Sequence, residues 1–166
     1  MFNKLKEAFK TDKTNKVIKI ISPLSGEVMP VAKVKDPTFS QEMLGKGVAI
    51  YPNIGRVVAP FDGTVDTVFD TFHAISLISK EKVEMLIHVG MDTVKLKGQH
   101  FKALVKSGDT IKTGDVLLEF DPEAIQKSGY DITTPVVVCN PDDYVKIDTK
   151  TDQSINMGEC LIELFI

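Results

Sequence analysis

The chain has 166 residues, is 43% hydrophobic and 26% charged, and carries a net charge of −3. That is enough to bury a core as one soluble globular domain, and the mild negative balance without a basic stripe argues against a nucleic-acid surface. There is no signal-peptide pattern and no apolar run of about 18 residues, so a cytoplasmic protein is expected.

Residues 1–16 stand apart from the rest. Phe2, Leu5 and Phe9 fall at helical spacing among lysines. They read either as a short amphipathic helix that touches an anionic membrane or as a solvated tail, and Thr11–Lys16 as a polar linker. From Val17 to the end, short apolar runs alternate with Gly, Pro and Asp, the pattern of an all-β domain. Two short helical turns interrupt it. Asp36-Pro37 opens one that runs toward Gly45, and Asp121-Pro122 opens another that stops at Gly129. Both begin with an Asp N-cap and a Pro at the first helical position.

Two segments repeat. Ile20–Val28 matches Val57–Val65, each a strand, a Pro, a Gly and a strand, with a weaker third match at Ile132–Val137. Ile111–Phe120 matches Ile155–Leu164 around Gly114 and Gly158. The expected fold is therefore an antiparallel β-sandwich or barrel-like body built on a duplicated β motif. Cys139 and Cys160 have no metal-ligand spacing and are expected as buried small hydrophobes in a reducing compartment.

The most informative run is Val83–Leu96. Val83, Met85, Ile87 and Val89 alternate with Glu84, Leu86, His88 and Gly90, so His88 sits on a strand that ends at a glycine. His73 lies in the preceding run, Phe72–Ile78. A hairpin with Lys80-Glu81 as its tip sets His73 opposite His88, where facing Cβ atoms lie roughly 5 Å apart; Lys-Glu is, however, a poor two-residue turn. On the residues alone, the two histidines are either satisfied structural side chains or a paired site. His100, among Gly98, Gln99 and Lys102, reads as a surface residue.

Phosphate-cradling loops, nucleophile elbows and His-Glu-x-x-His motifs are absent. A paired histidine site remains. Neutral imidazole is a competent nucleophile above a pKa of about 6.5, provided its other ring nitrogen is fixed by a hydrogen bond. A neighbouring histidine can donate to phosphoryl oxygens.

Glu84–Gly98 resembles the active-site signature of the glucose-family IIA components of the bacterial sugar phosphotransferase system. Thr71–Ser76 is similar to the segment that bears the family's second histidine, and Ala59–Thr64 and Thr133–Val137 also match. The likeness runs from about residue 17 to the end. It implies a histidine phosphocarrier in sugar uptake, with His88 accepting phosphoryl from phospho-HPr and passing it to the IIB domain of a sugar permease. It further implies that His88 reacts through Nε2 while the Gly90 carbonyl holds its Nδ1, that His73 contacts the phosphoryl group, and that Thr71 orients His73. Asp36 and Asp92 match an acidic rim, and Phe39, Met43, Leu44, Phe69 and Val94 an apolar docking ring. Thr38, Leu86 and Phe72 depart from the usual residues. No cofactor is required; zinc shared by His73, His88 and a partner's carboxylate is one addition the resemblance allows.

Three other readings compete. A zinc hydrolase on a similar scaffold needs a third ligand near His73 and His88, and none is visible. A purely regulatory docking module shares every surface feature. A lipoyl-type carrier needs a Met-Lys hairpin tip, which neither Lys80 nor Lys82 provides.

Overall fold

A computed structural model describes residues 16–166; the expected amphipathic tail falls almost wholly outside the described residues. Among the described residues fourteen strands pair antiparallel throughout and form three sheets. The largest sheet takes, from edge to edge, β13 (Gln153–Ile155), β2 (Gly26–Pro30), β3 (Lys46–Pro52), β11 (Thr134–Val138), β7 (Glu84–His88), β6 (Ala74–Ser79), β5 (Gly63–Val68) and β9 (Thr110–Ile111). A second sheet joins β1 (Val17–Ile21), β14 (Cys160–Phe165) and β12 (Lys146–Thr149). A third joins β4 (Arg56–Val58), β10 (Val116–Phe120) and β8 (Phe101–Ala103). One core holds all three sheets together in an open sandwich, with Ile20 and Ile162, Leu117 and Leu118, and Ile50, Ile75 and Ile87 fully buried in it.

The expected duplication is real down to single hydrogen bonds. The Ile21 amide donates to the Pro60 carbonyl, and its counterpart Val58 donates to Pro23. Ser22 donates to Glu159, and Ala59 to Asp115. The Met157 amide is held by the Ser25 hydroxyl at 2.8 Å and the equivalent Thr113 amide by the Asp62 carboxylate at 2.8 Å. Gly26 and Gly63 hold equivalent places where a neighbouring strand crosses so closely that a Cβ would strike the Tyr51 or Ile78 carbonyl. The third match is no arch: Pro135 lies inside β11, where it pairs with Ala49.

The helical signals yield Pro37–Ser40 and Pro122–Lys127, each with the expected Asp cap accepting a backbone N–H. The first helix is a single turn. With the preceding loop it covers the outer face of the large sheet. There Val31, Val34, Phe39, Ala49, Met91 and Val137 make a small second core. One cysteine departs from expectation. Cys139 follows the last residue of β11 and is exposed, Cys160 is half-buried, and both are free thiols. Among the described residues no helix is long and apolar enough to cross a membrane.

The β6–β7 hairpin is offset by one residue from the expected register. Ala74, not His73, faces His88. The Ser79 amide donates to the Val83 carbonyl, and the connection is Lys80-Glu81-Lys82 with Lys82 in left-handed backbone at φ 70°. A two-residue turn asks for positive φ at one or both tip residues, whereas a three-residue loop asks for it only at its last position. The Ser79 hydroxyl holds this longer loop by accepting from the Glu81 and Val83 amides.

Candidate active site

His88 is the last residue of β7, on the outer face of the large sheet beside Leu86, while Met85 and Ile87 point into the main core. His73 lies just before β6. Its carbonyl accepts the Val89 amide at 2.7 Å. Strict alternation from that pairing would turn its side chain away from His88, but the strand has already ended. The Phe72 amide closes a turn onto the Phe69 carbonyl at 2.7 Å, with Phe72 at φ 56°. This turn re-aims His73. The two imidazoles stand 4.8 Å apart, centroid to centroid, at 84° to each other. The pairing expected from the sequence is present, through a turn and not through opposed register.

Each ring has its Nδ1 occupied. That of His88 lies 2.8 Å from the Gly90 carbonyl oxygen, and that of His73 lies 2.5 Å from the Thr71 hydroxyl. A carbonyl can only accept, so His88 carries its proton on Nδ1 and leaves Nε2 with a free lone pair. Burial pushes the His73 pKa down from 6.5 to about 4, and the nearby His88 pushes it the same way. Burial also lowers the His88 pKa, opposed by the Gly90 carbonyl and by the Asp36 and Asp92 carboxylates. Both rings are neutral at pH 7, the state a nucleophilic imidazole needs.

The surrounding residues sort by exposure. Met43 (70%), Val94 (49%), Leu44 (41%) and Phe69 (39%) are exposed apolar side chains, as a docking ring requires. Phe69 meets His73 edge-on at 5.7 Å. Phe39 departs from the expectation of a docking residue. It is only 3% exposed, sits in the second core, and packs its ring 5.1 Å from His88. A one-turn helix capped by Asp36 cannot turn Phe39 outward while the sheet face beneath needs covering, so Phe39 is a wall behind His88. Asp36 is half-buried and Asp92 exposed. Both line a cleft of about 590 Å³ with Lys35, Lys95 and Asp131, so lysines stand among these carboxylates, and both carboxylates act on His88 electrostatically.

The chain matches the family model for the phosphoenolpyruvate-dependent sugar phosphotransferase system, EIIA 1, over residues 18–144. It belongs to that family. It is 42% identical over 159 residues to the PTS system glucose-specific EIIA component of Staphylococcus epidermidis, covering 96% of this chain and 95% of the relative. It is 46% identical over 145 residues to the PTS system beta-glucoside-specific EIIBCA component of Dickeya chrysanthemi, covering 87% of this chain but spanning only 23% of that longer protein. Among solved structures it resembles glucose permease IIA from Mycoplasma capricolum, with a TM-score of 0.82 and 30% identity over 90% of this chain and 96% of that one. Membership of this family supports a part in phosphoryl transfer during sugar uptake, and the competing hydrolase reading finds no support.

Two features of this EIIA site were missed in the sequence. Thr93 is fully buried and donates its hydroxyl to the Val89 carbonyl. Phe72, singled out only as unusual, holds left-handed backbone with its ring exposed over Gly98. A Thr three residues after a Gly, buried beneath a turn, was the one available signal for the first. For the second, nothing in a Thr-Phe-His run announces positive φ.

Proposed function

We propose that His88 is the phosphoryl acceptor and that the chain relays phosphoryl from phospho-HPr to the IIB domain of a sugar permease. The hydrogen bond from His88 Nδ1 to the Gly90 carbonyl carries this reading, because it leaves Nε2 as the free nucleophilic atom. The Nε2 lone pair attacks phosphorus in line. The N–P bond of the donor phosphohistidine breaks, and its electron pair returns to the donor imidazole. The new N–P bond sits on Nε2, while Nδ1–H stays on the Gly90 carbonyl. Onward transfer repeats the exchange on the IIB domain.

His73 stabilises the transferred group. With Thr71 Oγ–H donating to Nδ1, its Nε2–H is free to donate to a phosphoryl oxygen. Met43, Leu44, Phe69 and Val94 supply a flat apolar surface that tolerates two different partners, and Asp36 and Asp92 set encounter and orientation toward basic residues on them. With these partners the chain would act in the cytoplasm.

The reaction needs no cofactor. Zinc fits the site only as a shared ion. His88 donates Nδ1–H to a carbonyl as metal-bound histidines usually do, and His73 would donate likewise to the Thr71 hydroxyl only in its other tautomer, which gives two ligands. Among the described residues no third His, Cys, Asp or Glu joins a metal-holding group, so a partner carboxylate would have to complete the set.

Incubation with phosphoenolpyruvate, enzyme I and HPr should add one acid-labile, base-stable phosphate. Failure to incorporate phosphate under conditions that fully charge HPr would overturn the reading.

A further inference from the structure

Gly90 does two things that conflict. Its carbonyl must point at His88 Nδ1, and its backbone sits at φ 78°, a region shared with several other conformations that glycine visits freely. A glycine at the mouth of a site gives no such fixity by itself. Something must hold it.

Both peptide groups flanking Gly90 are held. The Val89 carbonyl accepts the Thr93 hydroxyl at 2.5 Å. The Met91 amide donates to the Asp131 carbonyl at 2.9 Å. That amide belongs to the same peptide plane as the Gly90 carbonyl, so fixing the N–H aims the oxygen on its opposite edge. Between these bonds Gly90 is also enclosed sterically. A Cβ built there would lie 2.5 Å from the Thr93 methyl and 2.8 Å from the Asp131 carbonyl oxygen. Thr93 thus acts through both branches of its side chain. Its hydroxyl ties the peptide before Gly90, and its methyl packs against Gly90 itself. It does so from complete burial, at the start of the short 3₁₀ turn Thr93–Leu96.

We propose that Thr93 is a positioning residue for His88: by holding the Val89–Gly90 peptide it keeps the Gly90 carbonyl on Nδ1 and so keeps the lone pair on Nε2. Thr93 does not touch the transferred group. Its effect passes through two backbone peptides and one hydrogen bond. That chain predicts a tautomer effect, which a purely structural role for Thr93 does not. The proposal deepens the reading of His88 as acceptor and rests on it for its kinetic consequence only; the tautomer is a property of the resting protein.

The test uses the full chain, ¹⁵N-labelled, near pH 7.5. Long-range ¹H–¹⁵N spectra of the histidine rings report which nitrogen carries the proton. Wild type should show His88 with Nδ1–H alone. Thr93→Val keeps the shape and loses the hydroxyl; it should show a second, Nε2–H population, while Thr93→Ser should restore the single tautomer. With phospho-HPr as donor, Thr93→Val should lower kcat roughly tenfold to a hundredfold with KM little changed, because docking residues are untouched. A single Nδ1–H tautomer in folded Thr93→Val overturns the proposal. Should that variant fail to fold, Thr93→Ser decides: a mixed tautomer in a folded Ser variant contradicts the hydroxyl's role. If wild type shows the expected tautomer yet takes no phosphate, the acceptor reading fails and the positioning claim stands.

Discussion

The two proline–glycine arches and the histidine-bearing loops use the same antiparallel backbone in opposite ways. The backbone–backbone bonds of each arch have counterparts in the other copy, and the close strand crossings fall on glycines, Gly26 and Gly63. Around the histidines there is no counterpart. Among the non-glycine residues at positive φ, Phe72 immediately precedes His73, Asp92 follows His88 by four residues, and Lys97 ends the 3₁₀ turn that Asp92 opens. Each such conformation costs on the order of 1–2 kcal/mol. The scaffold is repeated and relaxed, whereas the site is unique and carries the local strain. That division is physically reasonable. Strained turns can re-aim side chains such as His73 only where a rigid body over-determines them.

Breaking the scaffold should give the largest effect. Gly63→Val forces a side chain into the Ile78 carbonyl and should cost more than about 4 kcal/mol or prevent folding. Gly26→Val should behave alike, since it meets Tyr51 in the equivalent way. Urea unfolding would measure both; two tolerant variants would show that the arches are not the rigid half.

The site should respond in chemistry and not in fold. His73→Gln is expected to accept phosphate from phospho-HPr at close to the wild-type rate and to pass it to a IIB domain roughly a hundredfold more slowly. Stopped half-reactions separate the two steps. Equal slowing of both, or of neither, would deny His73 its place in onward transfer.

His73 also links the site to stability. Its folded pKa is about 4 against an ordinary 6.5, so between these values the unfolded chain binds a proton that the folded chain refuses. The stability from keeping this ring neutral is complete above pH 6.5 and is lost as pH falls toward 4. Wild type should therefore lose more stability than His73→Gln between about pH 7 and pH 4.5, by at most roughly 3 kcal/mol. Denaturant midpoints at the two pH values check it; parallel losses would mean that His73 is not buried as described.

Docking residues should give the smallest effects. Phe69→Ser should raise KM for phospho-HPr several-fold with unchanged stability. Phe39→Ser should instead destabilise the domain by about 3 kcal/mol or more, since its ring is buried. Asp36→Asn and Asp92→Asn should slow association and flatten its salt dependence. A change in KM alone for Phe39→Ser would return it to the docking ring.

How much of this was legible follows from the same contrast. The arches were readable because repetition writes the same Pro, Gly and Asp pattern twice. The capped helix at Asp121 was readable because its signals are local. The histidine pair was read correctly for a partly wrong reason. Lys80-Glu81 suggested a two-residue tip, but the Ser79 hydroxyl and the left-handed Lys82 lengthen the loop and shift the register by one. The Phe72 turn then restores the pairing that the shift would have lost. Neither event has a sequence signal, because both depend on non-glycine residues at positive φ. Phe39 was misplaced for a related reason: an aromatic two residues after Pro37 looks the same whether it covers a sheet or faces a partner.

The central claim is that Nε2 of His88 carries the phosphoryl group. Wild type and His88→Ala, each incubated with phosphoenolpyruvate, enzyme I and HPr, should be compared by phosphate incorporation and by ³¹P and ¹⁵N spectra of the product. Wild type should take up one phosphate on His88 Nε2, and the folded His88→Ala protein none. Phosphate on His73, on Nδ1 of His88, or on the alanine variant would contradict the account.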